Sequence, residues 1–354
     1  MNIKFNIGSV CISRDGPDCY VIAEIGHNHQ GDLDKAKELF RVAKECGVDA
    51  VKLQKRDNPS LYTRSLYEMP YDNENSFGST YGAHREYLEF GRDEYKELRR
   101  YATEIHLTMF ATAFDFRSAD FLADLDMPAF KIASGDLKNT PLLEHVARLG
   151  KPMVVSTGGA SIEDVERAYD VIMPINRNIC LLQCTASYPV EPEHMNLRVI
   201  TSYRERFPEV VIGLSDHQNG IAMALVAYTL GARVLEKHFT LNRAWKGTDH
   251  AFSLEPIGMR KLVRDLRRTS AALGDGVKRK YPCEEKPLTK MAKKLVAARN
   301  LPAGCLLTHE DIAIKSPNDG LPPYELERVV GKITRRSLSA DDNISFEDLI
   351  DREL

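Results

Sequence analysis

Short runs of consecutive apolar residues alternate along this chain with longer stretches whose apolar positions recur every three to four residues. The runs predict strands at Tyr20–Ile25, Ala50–Leu53, Leu107–Ala111, Ala129–Ile132, Met153–Val155, Ile179–Leu182, Val210–Gly213 and Val234–Lys237. Stretches between them, such as LDKAKELFRVAKECG and RDEYKELRRYATEI, read as amphipathic helices, and Gly47 and Gly150 stand where a helix C-terminal glycine stands. A strand buried on both faces reads as an unbroken apolar run, the pattern of a parallel sheet. Eight strand-then-helix units predict an α/β fold of the closed (β/α)₈ (TIM) barrel kind rather than an open doubly wound sheet.

Two stretches break the alternation. From Leu53 to about Gly91 the chain is rich in Tyr, Asn and Pro. A long irregular loop of this aromatic content reads as functional. After Gly276 a charged, Pro-containing stretch leads into short apolar pieces broken by Pro-Ala-Gly, Pro-Asn-Asp-Gly and Pro-Pro. This predicts a barrel over 1–277, a linker over 278–290 and a small β-rich domain over 291–354.

Bulk composition narrows the function classes. A length of 354 residues accommodates one barrel of about 250 residues and a small module. Net charge is −3, so no broad positive field points to nucleic acid or an anionic membrane. An anionic substrate must then be held by local lysines. The cysteine count is 7, odd and without a CxxC pair, which reads as free thiols in a reducing compartment. No signal peptide and no membrane span are expected, and the cytoplasm is the expected location.

Chemically capable residues fall at the C-terminal ends of nearly every predicted strand, where the loops of a barrel build its active site. These are Glu24, Lys52, Gln54, Thr112, Lys131, Ser134, Ser156, Ser215, Asp216, His217, Glu236, Lys237 and His238, with Tyr188 just past Cys184 and Asp249 after the last strand. Taken singly, His217 reads equally as a hydrogen-bonded loop residue and His238 as a satisfied core histidine. As a pair on successive strands they are candidate ligands of one divalent metal, because neutral imidazoles favour Mn, Fe, Co or Zn over Mg or Ca. Lys52 and Lys131 in apolar strands read either as structural ion pairs with Glu24 or Glu236, or as two cations for phosphate and carboxylate. The hydroxyls of Thr112, Ser134 and Ser156 around them favour the anion site. Glu24 is a candidate general acid or base, with a salt bridge to Lys52 as its structural alternative.

These same residues carry a family resemblance. The segments AEIGHNHQGD, AVKLQK, KIASGD, VSTGG, LQCTASYP, GLSDH, LEKHFTL and GTDHAFSLEP, in this order from Ala23 to Pro256, resemble the sialic acid synthases, and the tail is similar to their antifreeze-like (SAF) domain. Within the family, QKRDNPSLY, TYGAHREYLEF and WKGTDHAFSLEP are similar to the animal-type branch, which uses N-acetylmannosamine 6-phosphate where the bacterial branch uses the free sugar. The resemblance implies condensation of phosphoenolpyruvate with a mannose-type sugar. It implies a divalent metal, Mn²⁺ foremost and Mg²⁺ or Co²⁺ otherwise, on His217 and His238. It gives phosphoenolpyruvate to Lys52, Lys131, Thr112, Ser134 and Ser156, and the sugar and the water chemistry to Glu24, Gln54, Tyr188 and Asp249. It also implies a domain-swapped homodimer.

Two positions depart from the family pattern. Ser316 stands before Pro317 where bacterial members carry Arg, and Ala186 stands where the CT–YP motif usually carries Asn. They leave mannose 6-phosphate, which lacks the N-acetyl group, as an alternative substrate beside other bacterial hexosamines. Two readings of other classes stand against the synthase: a non-catalytic carbohydrate-binding or adhesive protein, and a metal-dependent hydrolase, which commonly supplies three or more protein ligands per metal.

Overall fold

The computed structural model describes residues 3–351, so the outermost residues of both predicted domains lie outside the described residues. The chain forms two compact units, Met1–Gly274 and Asp275–Leu354.

The first unit is a closed eight-stranded barrel with all neighbours parallel. Its strands are β1 Tyr20–Gly26, β2 Ala50–Lys55, β3 Thr108–Ala113, β4 Phe130–Ile132, β5 Met153–Ser156, β6 Ile179–Cys184, β7 Val211–Asp216 and β8 Val234–His238. Each strand is followed by at least one helix, from Leu33–Cys46 after β1 to Pro256–Leu273 after β8. The aromatic loop after β2 is built of short helices at Asn58–Leu61, Arg64–Tyr67 and Tyr81–Leu88.

Strand residues alternate between two environments, as the two-residue period requires. Val21, Ala23 and Ile25 of β1 face outward and pack with helix residues such as Ala36, Leu39 and Phe40. Tyr20 and Ile22 of β1, Ala50 of β2, Phe110 of β3, Val154 of β5, Leu182 of β6 and Val234 of β8 form a separate buried cluster inside the barrel. Gly213 makes this interior tight: a Cβ there would sit 2.3 Å from the Val234 carbonyl oxygen.

A hairpin of two short strands, Lys4–Ile7 and Val10–Ser13, precedes the barrel. Its Phe5, Ile7 and Ile12 join the interior cluster. The Asn6 backbone exchanges hydrogen bonds of 3.0 and 3.2 Å with Asn178, the residue before β6, so the hairpin closes the N-terminal end of the barrel.

The second unit has its own core of Leu295, Ala297, Leu301, Leu307, Val329, Leu338, Ile344 and Leu349. It is held by two antiparallel pairs, Lys294–Ala297 with Ile312–Lys315 and Ile333–Thr334 with Leu349–Ile350. The stretch 278–290, read from sequence as a linker, contains a 3₁₀ turn at Pro282–Glu284 and most of a short helix, Glu285–Met291. Among the described residues no helix is long and apolar enough to cross a membrane.

Candidate active site

On six of the strands, two residues beyond an apolar interior position the same face turns polar. Ile22 is followed by Glu24, Ala50 by Lys52, Phe110 by Thr112, Ala129 by Lys131, Val154 by Ser156 and Val234 by Glu236. Strand pairing sets Glu24 beside Lys52 and beside His238, and Thr112 beside Lys131. At the end of β1 the register shifts between Glu24 and Gly26. Gly26 has φ +52°, and a Cβ there would crowd Gln54, Glu24 and Asp249 within 3.1 to 3.3 Å. The bulge therefore needs glycine, and it turns the Glu24 carboxylate toward its partners.

Glu24, Lys52, Lys131 and Glu236 are each at most 4 % exposed. Lys52 Nζ lies 2.7 Å from Glu24 and 3.8 Å from Glu236, and donates to Thr112 Oγ1 at 2.8 Å. Lys131 Nζ lies 3.6 Å from the same Glu236 oxygen and donates to Ser156 Oγ at 2.7 Å. Gln54 donates to Glu24 Oε1 at 2.8 Å. Burial raises the Glu24 pKa to about 7, against the pull of Lys52. Burial acts the same way on Glu236, but Lys131 and Lys52 outweigh it and hold that carboxyl below its usual range. When Glu24 takes a proton, two ammoniums face one carboxylate, and the floor of the cavity is positive. Such an arrangement is a poor way to stabilise a fold and a good way to receive an anion.

The two imidazoles stand together beside this cluster, ring centroids 5.4 Å apart. His217 Nδ1 lies 3.0 Å from the Thr185 carbonyl oxygen, which only accepts, so Nδ1 carries the hydrogen and Nε2 keeps its lone pair. His238 Nδ1 is buried without a hydrogen-bond partner and lies 3.7 Å from Asp249. Burial first, and for His217 the neighbouring His238 next, lowers both pKa values to about 4, so both rings are neutral at pH 7. Two neutral imidazoles, one with its tautomer fixed by a backbone carbonyl, fit a divalent transition metal. Among the described residues no group of three or more His, Cys, Asp or Glu converges for a metal, so the protein would supply two ligands and leave positions open. Tyr188 is 53 % exposed and packs on His217 at 4.1 Å between centroids. Ser134 accepts from the Gly158 N–H at 3.0 Å.

One cavity is lined by Glu24, Lys52, Gln54, Thr112, Lys131, Ser134, Ser156, Tyr188, His217, His238 and Asp249 together. Asp216 and Lys237, also read at strand ends, face the other way and form a buried ion pair of 2.8 Å. Sequence reasoning gave Glu236 only an ion-pair role, and missed Arg56, Arg85 and Phe114, which line the cavity as well. Arg56 was within reach, because Lys52, Gln54 and Arg56 continue one two-residue period. Arg85 lies on a loop helix with no period linking it to the barrel.

The NeuB family matches residues 39–278 and the SAF domain matches residues 294–350. The chain is 44 % identical to the human N-acetylneuraminate-9-phosphate synthase over 94 % of its own length and 93 % of that protein's. It is 38 % identical to the Drosophila melanogaster protein of the same name, over 94 % and 96 %. The crystal structure of N-acetylneuraminic acid (sialic acid) synthetase from Leptospira borgpetersenii, in complex with citrate, superposes with a TM-score of 0.70 at 30 % identity, covering 81 % of this chain and 95 % of that one. Motif order, barrel and tail agree: the chain belongs to the sialic acid synthase (NeuB) family and carries a SAF domain at its C-terminal end.

Proposed function

We propose that the barrel condenses phosphoenolpyruvate with N-acetylmannosamine or its 6-phosphate, giving N-acetylneuraminate or its 9-phosphate and inorganic phosphate. The observation that carries this reading is the pair of buried ammoniums, Lys52 and Lys131, sharing one firmly ionised carboxylate beside two neutral imidazoles. The lysines and the Thr112 and Ser156 hydroxyls hold the anion of phosphoenolpyruvate with its C3 toward the aldehyde of the open-chain sugar, and this positioning supplies much of the rate. C3 forms the new bond to the aldehyde carbon. Water adds to C2, and phosphate leaves by C–O cleavage. Glu24 is poised to take the proton of that water, with Asp249 as the second carboxylate at the same rim. His217 and His238 would hold a divalent metal, Mn²⁺ foremost, whose chemistry is to polarise the aldehyde carbonyl. A homodimer is part of the proposal.

A second reading has one observation in its favour. Ala186 presents a methyl group to the cavity where the family pattern has an amide, which suits mannose 6-phosphate. The test is phosphate release from phosphoenolpyruvate with N-acetylmannosamine, its 6-phosphate and mannose 6-phosphate, each with Mn²⁺ and with chelator. Metal-dependent release with an N-acetylated sugar is expected. Faster release with mannose 6-phosphate selects the second reading, and no release with any of the three refutes both.

A further inference from the structure

Behind the two imidazoles, on the other face of the same strands, lies an ion pair that the reaction residues leave unused. Asp216 and Lys237 are 2 % and 1 % exposed, and Lys237 Nζ lies 2.8 Å from Asp216 Oδ2. Side chains alternate along a strand, so the residue after each member, His217 and His238, faces the cavity while the pair faces outward. The register pairs of β7 and β8 end with Lys237 beside Asp216, and β7 itself ends there. The ladder between the two strands thus stops one residue short of the imidazoles.

The lysine carries the tie further. Lys237 Nζ also donates to the Gln218 carbonyl oxygen, and the Gln218 N–H donates to Asp216 Oδ1 at 2.9 Å. One ammonium on β8 therefore grips the end of β7 on both sides of His217, at Asp216 before it and at Gln218 after it. The backbone anchors of the two imidazoles come from separate loops. The His217 carbonyl accepts from the Val190 N–H at 3.2 Å, in the loop after β6, and the His238 carbonyl accepts from the Leu254 N–H at 2.8 Å, in the loop after β8. An apolar pair of similar volume commonly serves a fold as well as a buried ion pair, so stability alone does not account for this one. What it supplies is a fixed offset between two strand ends. A metal site depends on that offset, because two ligands share one ion only where their lone pairs converge.

We propose that Asp216 and Lys237 are positioning residues that set the spacing of His217 and His238 for a divalent metal. The inference rests on the metal assignment of the synthase reading above. In the test, Mn²⁺ is titrated into the full chain and into Asp216→Leu/Lys237→Met, with the free ion followed by electron paramagnetic resonance. The double substitution removes both charges at once and leaves no ion buried alone. It should weaken Mn²⁺ binding by about tenfold or more, with near-ultraviolet circular dichroism and thermal melt close to the parent's. Calorimetric binding of phosphoenolpyruvate in chelator should change by less than about twofold, because Lys52 and Lys131 do not lean on the pair. An unchanged Mn²⁺ affinity in the folded double variant overturns the proposal, whatever the melt does. An equal loss of both ligands overturns it too, since that is the mark of a general distortion. If the double variant does not fold, Asp216→Asn, which keeps the shape and the acceptor for Gln218 but not the charge, is titrated on the same criteria. A parent chain that binds no Mn²⁺ refutes the metal assignment itself, and the positioning role falls with it.

Discussion

The two ends of the barrel interior are built on the same faces of the same strands, and they are chemically opposite. At the N-terminal end Tyr20, Ile22, Ala50, Phe110 and Val154 meet the hairpin residues Phe5, Ile7 and Ile12 in a dry apolar layer. One step of two residues further along, the layer is Glu24, Lys52, Thr112, Lys131, Ser156 and Glu236. The apolar end contributes transfer free energy and dispersion. At the polar end, ions out of water gain less from one another than they lose in hydration, so stability alone does not account for that layer. The contrast separates a layer that holds the frame from a layer that the proposed reaction would use.

The largest effect should come from removing an imaginary symmetry between the two ends: a substitution in the polar layer should stop turnover and spare the fold. His217→Ala and His238→Ala are each expected to lower Mn²⁺-dependent kcat by roughly a thousandfold, with thermal melts close to the parent. Full activity of either variant in chelated buffer refutes the metal assignment. The converse change lies in the hairpin. Phe5 is fully buried, and Phe5→Ala should destabilise the protein by about 3 kcal/mol in denaturant unfolding, while kcat per folded molecule stays at the parent value. A loss of kcat in the folded variant would erase the division of labour. The smallest effect is in pH. With Glu24 titrating near 7, its carboxylate form is depleted as pH falls, so the rate should drop about tenfold per unit below that value. Glu24→Gln should be slow and should lack this limb. A parent profile flat from pH 5 to 7 removes Glu24 from the proton transfer.

Most of the barrel was legible because strands covered on both sides read as apolar runs, and all eight were found in order. Several of their C-terminal ends were not. The run from Ala50 was read to Leu53 but the strand continues to Lys55, and the run from Val210 was read to Gly213 where the strand reaches Asp216. An apolar-run reading ends with the last apolar residue of the run, and here polar strand residues follow it. Thus Gln54 and Ser215 are strand residues with fixed directions rather than loop residues. The hairpin was missed because its four-residue strands are half exposed and too short to show a period. Arg85 was missed because its place in the cavity depends on the path of the loop after β2, which no local pattern encodes.

The hairpin that closes the N-terminal end also bears on the order of binding in the proposed reaction. Under the proposed reaction, the reactant held by the lysines on the floor should bind before the one at the rim, because Phe5, Ile7 and Ile12 fill the other end of the barrel. An obligatory order of arrival is then the expected initial-rate pattern, and random addition would remove the hairpin from any part in it.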